Sequence, residues 1–159
     1  MPNDSRRTPQ ALYDRLDAIF HFTLDAAADV VNAKCGAYYS LDGINGLTAP
    51  WFSSTWCNPP YGRGEIIQWI AKARAELKAH HNSVLLLPSD TSTKWFRELV
   101  RPMPGHATAL FFLHGRLRFG LADGTVDGPS KFGSVLAIYG YGLKERVALH
   151  KMEGWYVAP

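Results

Sequence analysis

Several common chemistries lack their residues in this chain. Cysteine occurs only twice, at Cys35 and Cys57, too few for a zinc site, and both are expected as small buried thiols. The six histidines are scattered without metal-ligand spacing, so no metal is expected. No serine, histidine and acid constellation stands out for hydrolysis. No apolar run approaches the roughly 20 residues of a membrane span, and the polar first ten residues, with Arg6 and Arg7, precede no apolar core of a signal peptide. The expectation is a soluble, cytoplasmic protein with residues 1–10 flexible. There is no internal repeat and no low-complexity tract.

What remains is 159 residues with 47% hydrophobic content, which suits one domain, residues 1–159, with a real core. The net charge of +3 is compatible with a polyanionic partner but decides nothing alone. Several aromatics sit beside glycine, proline or arginine instead of in periodic runs, a mild hint of contact with bases.

The stretch Trp56-Cys57-Asn58-Pro59-Pro60-Tyr61-Gly62 carries the most chemistry. It follows a short β-prone run, Ser54-Thr55-Trp56-Cys57, and precedes a helical pattern over 65–79. An exocyclic amine on a nucleobase is a poor nucleophile because its lone pair is delocalised into the ring. Two hydrogen-bond acceptors, the Asn58 side-chain oxygen and the Pro59 carbonyl, can draw the nitrogen toward tetrahedral geometry and aim that lone pair at an incoming methyl group. Pro59 and Pro60 fix φ and hold the acceptors still. Tyr61 offers a face for an extruded base, a contact worth about 1–3 kcal/mol per base in other nucleic-acid proteins. A proline-rich turn is the plain alternative for an isolated Pro-Pro.

Along the rest of the chain, 12–22 reads as a short helix or irregular lead-in and 22–25 as a strand ending in Asp25. The run 26–33 reads as a helix. Asp25 is a candidate for a nucleoside ligand's polar groups, since such ligands sit at strand carboxyl ends; the alternative is an N-cap on the alanine-rich run. Residues 35–52 are turn-rich with a short strand at 37–40, and Trp51 is either a lid or core. In the 65–79 helix, Ile66, Ile70, Ala73 and Leu77 share one face, leaving Lys72, Arg74, Glu76 and Lys78 as a solvated face, with contact to phosphate as the alternative. Residues 83–88 are continuously apolar, as in a strand covered on both sides, so the sheet is at least partly parallel. The polar loop 89–93 either helps line a pocket or initiates the helix through Trp95, Phe96, Leu99 and Val100. Residues 107–113 read as a strand returning through a turn as 116–120, with Arg116 and Arg118 on one face. Those guanidinium groups can grip DNA phosphates or a cofactor carboxylate, or simply guard an exposed edge. A flexible loop over 121–132, a strand over 133–140 and an edge strand near Trp155-Tyr156-Val157 complete the pattern.

Taken in order, Leu24-Asp25-Ala26-Ala27-Ala28, Asn32-Ala33-Lys34-Cys35, Gly46-Leu47 with Trp51, the Trp56 to Gly62 motif, Leu87-Pro88 with Thr91-Ser92-Thr93 and Trp95-Phe96, and Gly115-Arg116-Leu117-Arg118-Phe119 make the chain resemble the phage DNA N-6-adenine methyltransferases of the Dam-like type. The resemblance runs over most of the chain. It implies a compact Rossmann-like α/β fold with a mixed, mostly parallel sheet and a C-terminal antiparallel hairpin. It further implies S-adenosyl-L-methionine as methyl donor, double-stranded DNA as substrate and base flipping. Under it, Asn58, Pro59, Pro60 and Tyr61 are catalytic. Asp25, Ala26, Ala27 and Asn45 are candidates for the cofactor, and Arg116, Arg118 and Lys131 for DNA. Two positions depart from larger relatives: the first loop carries alanines where they have glycines, and Asn45 stands where an acid is expected. Rival readings are cytosine N-4 methylation, methylation of a glutamine side-chain amide in proteins, and a degenerate DNA-binding accessory protein. The 41–51 and 121–132 segments are the expected readers of DNA sequence; oligomeric state is open.

Overall fold

The computed structural model describes residues 6–40, 42–100 and 107–158. The elements run α1 (Gln10–Phe20), β1 (Leu24–Asp25), β2 (Ser54–Cys57), α2 (Ile66–Lys78), β3 (Asn82–Pro88), α3 (Lys94–Val100), β4 (Ala109–Leu113), β5 (Ser134–Tyr139), α4 (Leu143–Leu149) and β6 (Gly154–Val157). Strand side chains alternate between two faces, and both faces of the central strands are apolar. In β3, Val84 and Leu86 join one buried cluster while Leu85 and Leu87 join the other; in β5, Leu136 and Ile138 oppose Val135 and Ala137 in the same way. Each face therefore needs a helical cover. Tyr13, Leu16 and Phe20 of α1, with Leu149 of α4, cover one; Ile66, Trp69, Ile70 and Ala73 of α2, with Phe96 and Leu99 of α3, cover the other. The result is a three-layer α/β fold around a single mixed sheet.

The strand order is β1-β2-β3-β5-β4-β6. The β1–β2 and β2–β3 pairings are parallel, whereas β3–β5, β4–β5 and β4–β6 are antiparallel. Since β3 and β4 are both antiparallel to β5, β1 to β4 point one way. Insertion of β5 between β3 and β4 leaves only the β1-β2-β3 half hydrogen-bonded in parallel, so the sheet is mixed as expected but not mostly parallel.

Three local expectations are also corrected. The alanine-rich run 26–33 forms no helix, because its amides are engaged elsewhere. Ala26 N–H donates to the Trp56 carbonyl at 2.9 Å and Ala28 N–H to that of Tyr39 at 2.9 Å. The Asp29 carboxylate takes the N–H groups of Val31 and Asn32; such side-chain bonds compete with helix formation. Residues 37–40 contribute a single bridge, Tyr38 to Asp25, instead of a strand. Residues 116–120 do not return along β4, whose edges are filled by β5 and β6. They pair irregularly with 125–130, through Asp127 N–H to the Phe119 carbonyl and Ser130 N–H to that of Leu117. The 121–132 loop is closed into a ribbon by these bonds.

The polar side of α2 is not simply solvated. Glu76 is buried and paired with Lys72 and with His81 Nδ1 at 2.7 Å, and Arg74 pairs with Glu98 of α3. Helix α4, which the sequence reading left without an element, starts where the Glu145 carboxylate accepts from Gly142 N–H at 3.0 Å, half of a capping box.

Candidate active site

Because β1, β2 and β3 are parallel, their carboxyl ends open on one rim, where open α/β sheets bind ligands. Asp25 ends β1 beside Trp56 of β2, and Asn58 emerges just beyond β2. Between them lies a cavity of about 1010 Å³. Its floor is the 25–29 segment, with Asn58, Pro60 and Gly62 on one side and Tyr39, Ser40, Asp42 and Gly46 on another. Arg6, Arg7 and Thr8 also line it, as do Arg63, Glu65 and Trp69. The lining thus carries both acids (Asp25, Asp29, Asp42, Glu65) and bases (Arg6, Arg7, Lys34, Arg63).

The Asn58 amide is held at both ends. Its Nδ2 donates to the Arg6 carbonyl at 2.6 Å, and its Oδ1 accepts from the Tyr61 hydroxyl at 3.0 Å. That hydroxyl also faces the Leu86 carbonyl at 3.1 Å, so its one hydrogen is shared. One lone pair of Oδ1 stays available to a further donor. The Tyr61 ring meets Phe119 edge-on at 6.4 Å, and the Arg6 guanidinium carbon stands 5.7 Å from its centroid. Pro59 is buried and lies outside the cavity lining, whereas Pro60 is half-buried on the cavity wall.

Asp25 is buried at 3% exposure, and its carboxylate accepts from Lys34 N–H at 3.0 Å and Ala27 N–H at 3.3 Å. With no helix following, it caps none. Burial pushes its carboxyl up to about 6, prevailing over those two N–H bonds, which act downward. The folded state therefore binds a proton that the unfolded chain has released, and this contribution to stability is complete below the ordinary value of 3.8 and lost as pH rises through about 6. Asp25→Asn is expected to flatten the pH dependence of the unfolding free energy, read from urea titrations, across that window, by on the order of 2–3 kcal/mol between its ends. An unchanged slope in the variant would assign the dependence to another group.

The other candidates are distributed as follows. Ala26 and Ala27 line the cavity next to Asp25. Asn45 is exposed and outside the lining; its Oδ1 accepts from Leu47 N–H at 2.9 Å, forming the turn that carries Gly46. An acid does enter the lining nearby, as Asp42. Trp51 is core, stacked on Trp69 with its Nε1 donating to the Gly46 carbonyl at 2.8 Å. Loop 89–93 is absent from this cavity's lining, and the Asp90 carboxylate and Thr93 hydroxyl bond within the turn that starts α3. Arg116, Arg118 and Lys131 are exposed and outside the lining, but the ribbon bearing the two arginines reaches the site through Phe119.

The sequence reading missed Arg6, Arg7 and Thr8, which lay within the stretch expected to be flexible; residues 1–5 of that stretch, and position 41, lie outside the described residues. Arg7 and Gly120 exchange backbone bonds of 2.9 and 3.0 Å, and Thr8 is only 4% exposed. No local pattern announces such a long-range pairing. Arg63 directly follows the motif, so its place beside the site is legible from local order. Among the described residues no group of His, Cys, Asp or Glu is placed to hold a metal, and no helix is long and apolar enough to cross a membrane.

Residues 2–146 match the family described as DNA N-6-adenine-methyltransferase (Dam). The DNA N-6-adenine-methyltransferase of Escherichia phage T1 is 34% identical over 151 residues, an alignment taking in 82% of this chain and 60% of the relative. This chain thus spans about 60% of the length of the curated relative it matches. The family match covers both the rim that bears Asn58 and the 25–29 segment facing it, and on that ground the chain belongs to the Dam family of DNA N-6-adenine-methyltransferases.

Proposed function

We propose that the protein methylates the exocyclic N-6 amine of adenine in double-stranded DNA, using S-adenosyl-L-methionine as donor. The observation that carries this reading is the Asn58 amide, held at the cavity edge with a lone pair of Oδ1 to spare. That oxygen and the Pro59 carbonyl accept the two amine hydrogens and localise the nitrogen lone pair. An amide accepts a hydrogen bond but takes no proton near neutrality, so the proton shed on methylation leaves to solvent. An adenine inside a duplex cannot reach this recess, which requires the base to flip out. It then stacks on Tyr61, taking the place of the Arg6 guanidinium where it covers that face.

The cavity suits the donor. Its volume is of the scale of nucleoside-sized ligand sites, and its acids Asp25, Asp29 and Asp42 complement the sulfonium and ammonium charges while Lys34 complements a carboxylate. The small side chains of Ala26, Ala27 and Ala28 serve close backbone approach as glycine does in larger relatives. Bound there, S-adenosyl-L-methionine supplies an electrophilic methyl group. Asp25 and the alanines are its proposed seat, with Asp42 in the place the sequence reading gave to Asn45.

The test is incubation with S-adenosyl-L-methionine and unmodified DNA, digestion to nucleosides and mass spectrometry. N-6-methyladenine is the expected product; methylated cytosine would transfer the reading to the N-4 reaction. Absence of any product, with no heat of donor binding in calorimetry, would leave the accessory-protein reading.

Arg116, Arg118 and Lys131 are proposed DNA contacts, on the ground that the ribbon carrying the first two also brings Phe119 to Tyr61. Replacing both arginines by alanine is expected to weaken DNA binding and to reduce the slope of log K against log salt by roughly 1–2. An unchanged slope in fluorescence anisotropy titrations returns them to a solvated edge.

A further inference from the structure

A primary amide is nearly symmetric in shape, so its partners decide whether oxygen or nitrogen faces the substrate. Turned the wrong way, Asn58 would present N–H groups to an amine, opposing donor to donor. The Arg6 carbonyl can only accept, so at 2.6 Å it fixes the nitrogen end toward itself and leaves Oδ1 for the Tyr61 hydroxyl and the substrate. That carbonyl is itself restrained. The next residue, Arg7, is bonded in both directions to Gly120, Thr8 is buried, and Pro9 leads into α1. The segment 6–8 is a strap tied at one end to α1 and at the other to the 117–130 ribbon, which touches Tyr61 through Phe119.

We infer that this strap is a positioning element for the transfer step: the backbone carbonyl of Arg6, held by the Arg7–Gly120 pairing, sets the orientation of the Asn58 amide. The inference rests on the methyltransferase reading above. It predicts a defect in turnover without a matching defect in donor binding, because the strap acts through Asn58, while the proposed donor seat is Asp25 and the alanines.

The test uses the full chain with Arg7→Pro, which deletes the N–H donated to Gly120 and restricts Arg6 as well. A gentler companion is Gly120→Ala, whose Cβ would lie 3.3 Å from that of Arg7 and so displace the strap while keeping its bonds. Three quantities are read for each: kcat and KM on duplex DNA, donor Kd by calorimetry, and the NMR position of the Asn58 side-chain amide protons, assigned by their loss in Asn58→Asp. Arg7→Pro is expected to lower kcat about 10- to 100-fold, the scale of a small misplacement at a reacting centre; because it also removes a guanidinium from the cavity lining, donor Kd is judged on Gly120→Ala, which keeps the Arg7 side chain and is expected to hold it within about 2-fold. The bonded amide proton should move to its solvent-exposed position. Gly120→Ala is expected to lower kcat about 2- to 5-fold in the same pattern, and it decides the matter if Arg7→Pro does not fold. An unchanged kcat, an unchanged amide proton, or a loss that only tracks donor affinity overturns the role. Absence of methylation by the unaltered protein overturns the methyltransferase reading, and the role with it.

Discussion

Asn58→Ala is expected to reduce kcat by at least about 100-fold, the scale for losing a hydrogen-bond partner made in the transition state, while leaving donor Kd nearly unchanged. The asymmetry follows from placement. Asn58 stands at the end of β2, while the proposed donor seat is the 25–29 segment across the cavity. Its removal also leaves the Arg6 carbonyl without the amide, whereas the Tyr61 hydroxyl keeps the Leu86 carbonyl at 3.1 Å. The accompanying loss of stability should be only about 1 kcal/mol, too little to unfold the protein and mimic a catalytic defect. Single-turnover kinetics with saturating donor, read beside calorimetry, separate the two effects. Activity retained at the level of the unaltered protein would remove Asn58 from the mechanism.

Gly46→Ala is expected to damage the opposite end of the cavity. A Cβ at Gly46 would be driven into the Ala26 carbonyl oxygen and would meet Trp69 Cη2 at 3.1 Å. Neither neighbour has room to yield. Ala26 is fixed by its N–H bond to Trp56, and Trp69 is stacked on Trp51, whose indole is bonded to Gly46 itself. Overpacking of this kind costs about 1–3 kcal/mol, which for a domain of this size lowers Tm by roughly 2–12 °C. Displacement of the 25–29 floor should also weaken donor binding, by about 10-fold if the cost falls on the bound state by 1.4 kcal/mol. Gly36→Ala is the comparison, since a Cβ there meets nothing within 4 Å. Equal melting temperatures and equal donor affinities for the two variants would show that Gly46 is not held by this close approach.

These two ends of the cavity differ in how far the sequence reveals them. Asn58-Pro59-Pro60-Tyr61 is contiguous, so its chemistry and its place between a strand and a helix are legible from local order alone. The proposed donor end is assembled from 25–34, 39–46 and 63–69, segments joined by backbone bonds such as Asp25 N–H to the Ala37 carbonyl and Tyr39 N–H to the Asp25 carbonyl. An alanine-rich run has high helix propensity, which is why 26–33 reads as a helix; its amides are instead engaged by Trp56, Tyr39 and Asp29. Likewise, 116–120 follows a glycine turn and reads as the second arm of a hairpin. Both edges of β4 are already filled.

Local sequence by itself carried the family resemblance, the Asn58 to Tyr61 motif, the buried central strand, expected at 83–88 and observed at 82–88, and the helices on either side of it, because each depends on side chains within a few residues of one another. The tertiary structure alone decided the insertion of β5 between β3 and β4, the burial of Glu76 between Lys72 and His81, and the strap that brings the Arg6 carbonyl to Asn58. Each of these is a choice among partners distant in the chain. Backbone donors and acceptors are the same for every residue, so the sequence does not label which will pair; that is settled only when the two apolar faces of the sheet have been covered and the remaining groups take the partners left within reach.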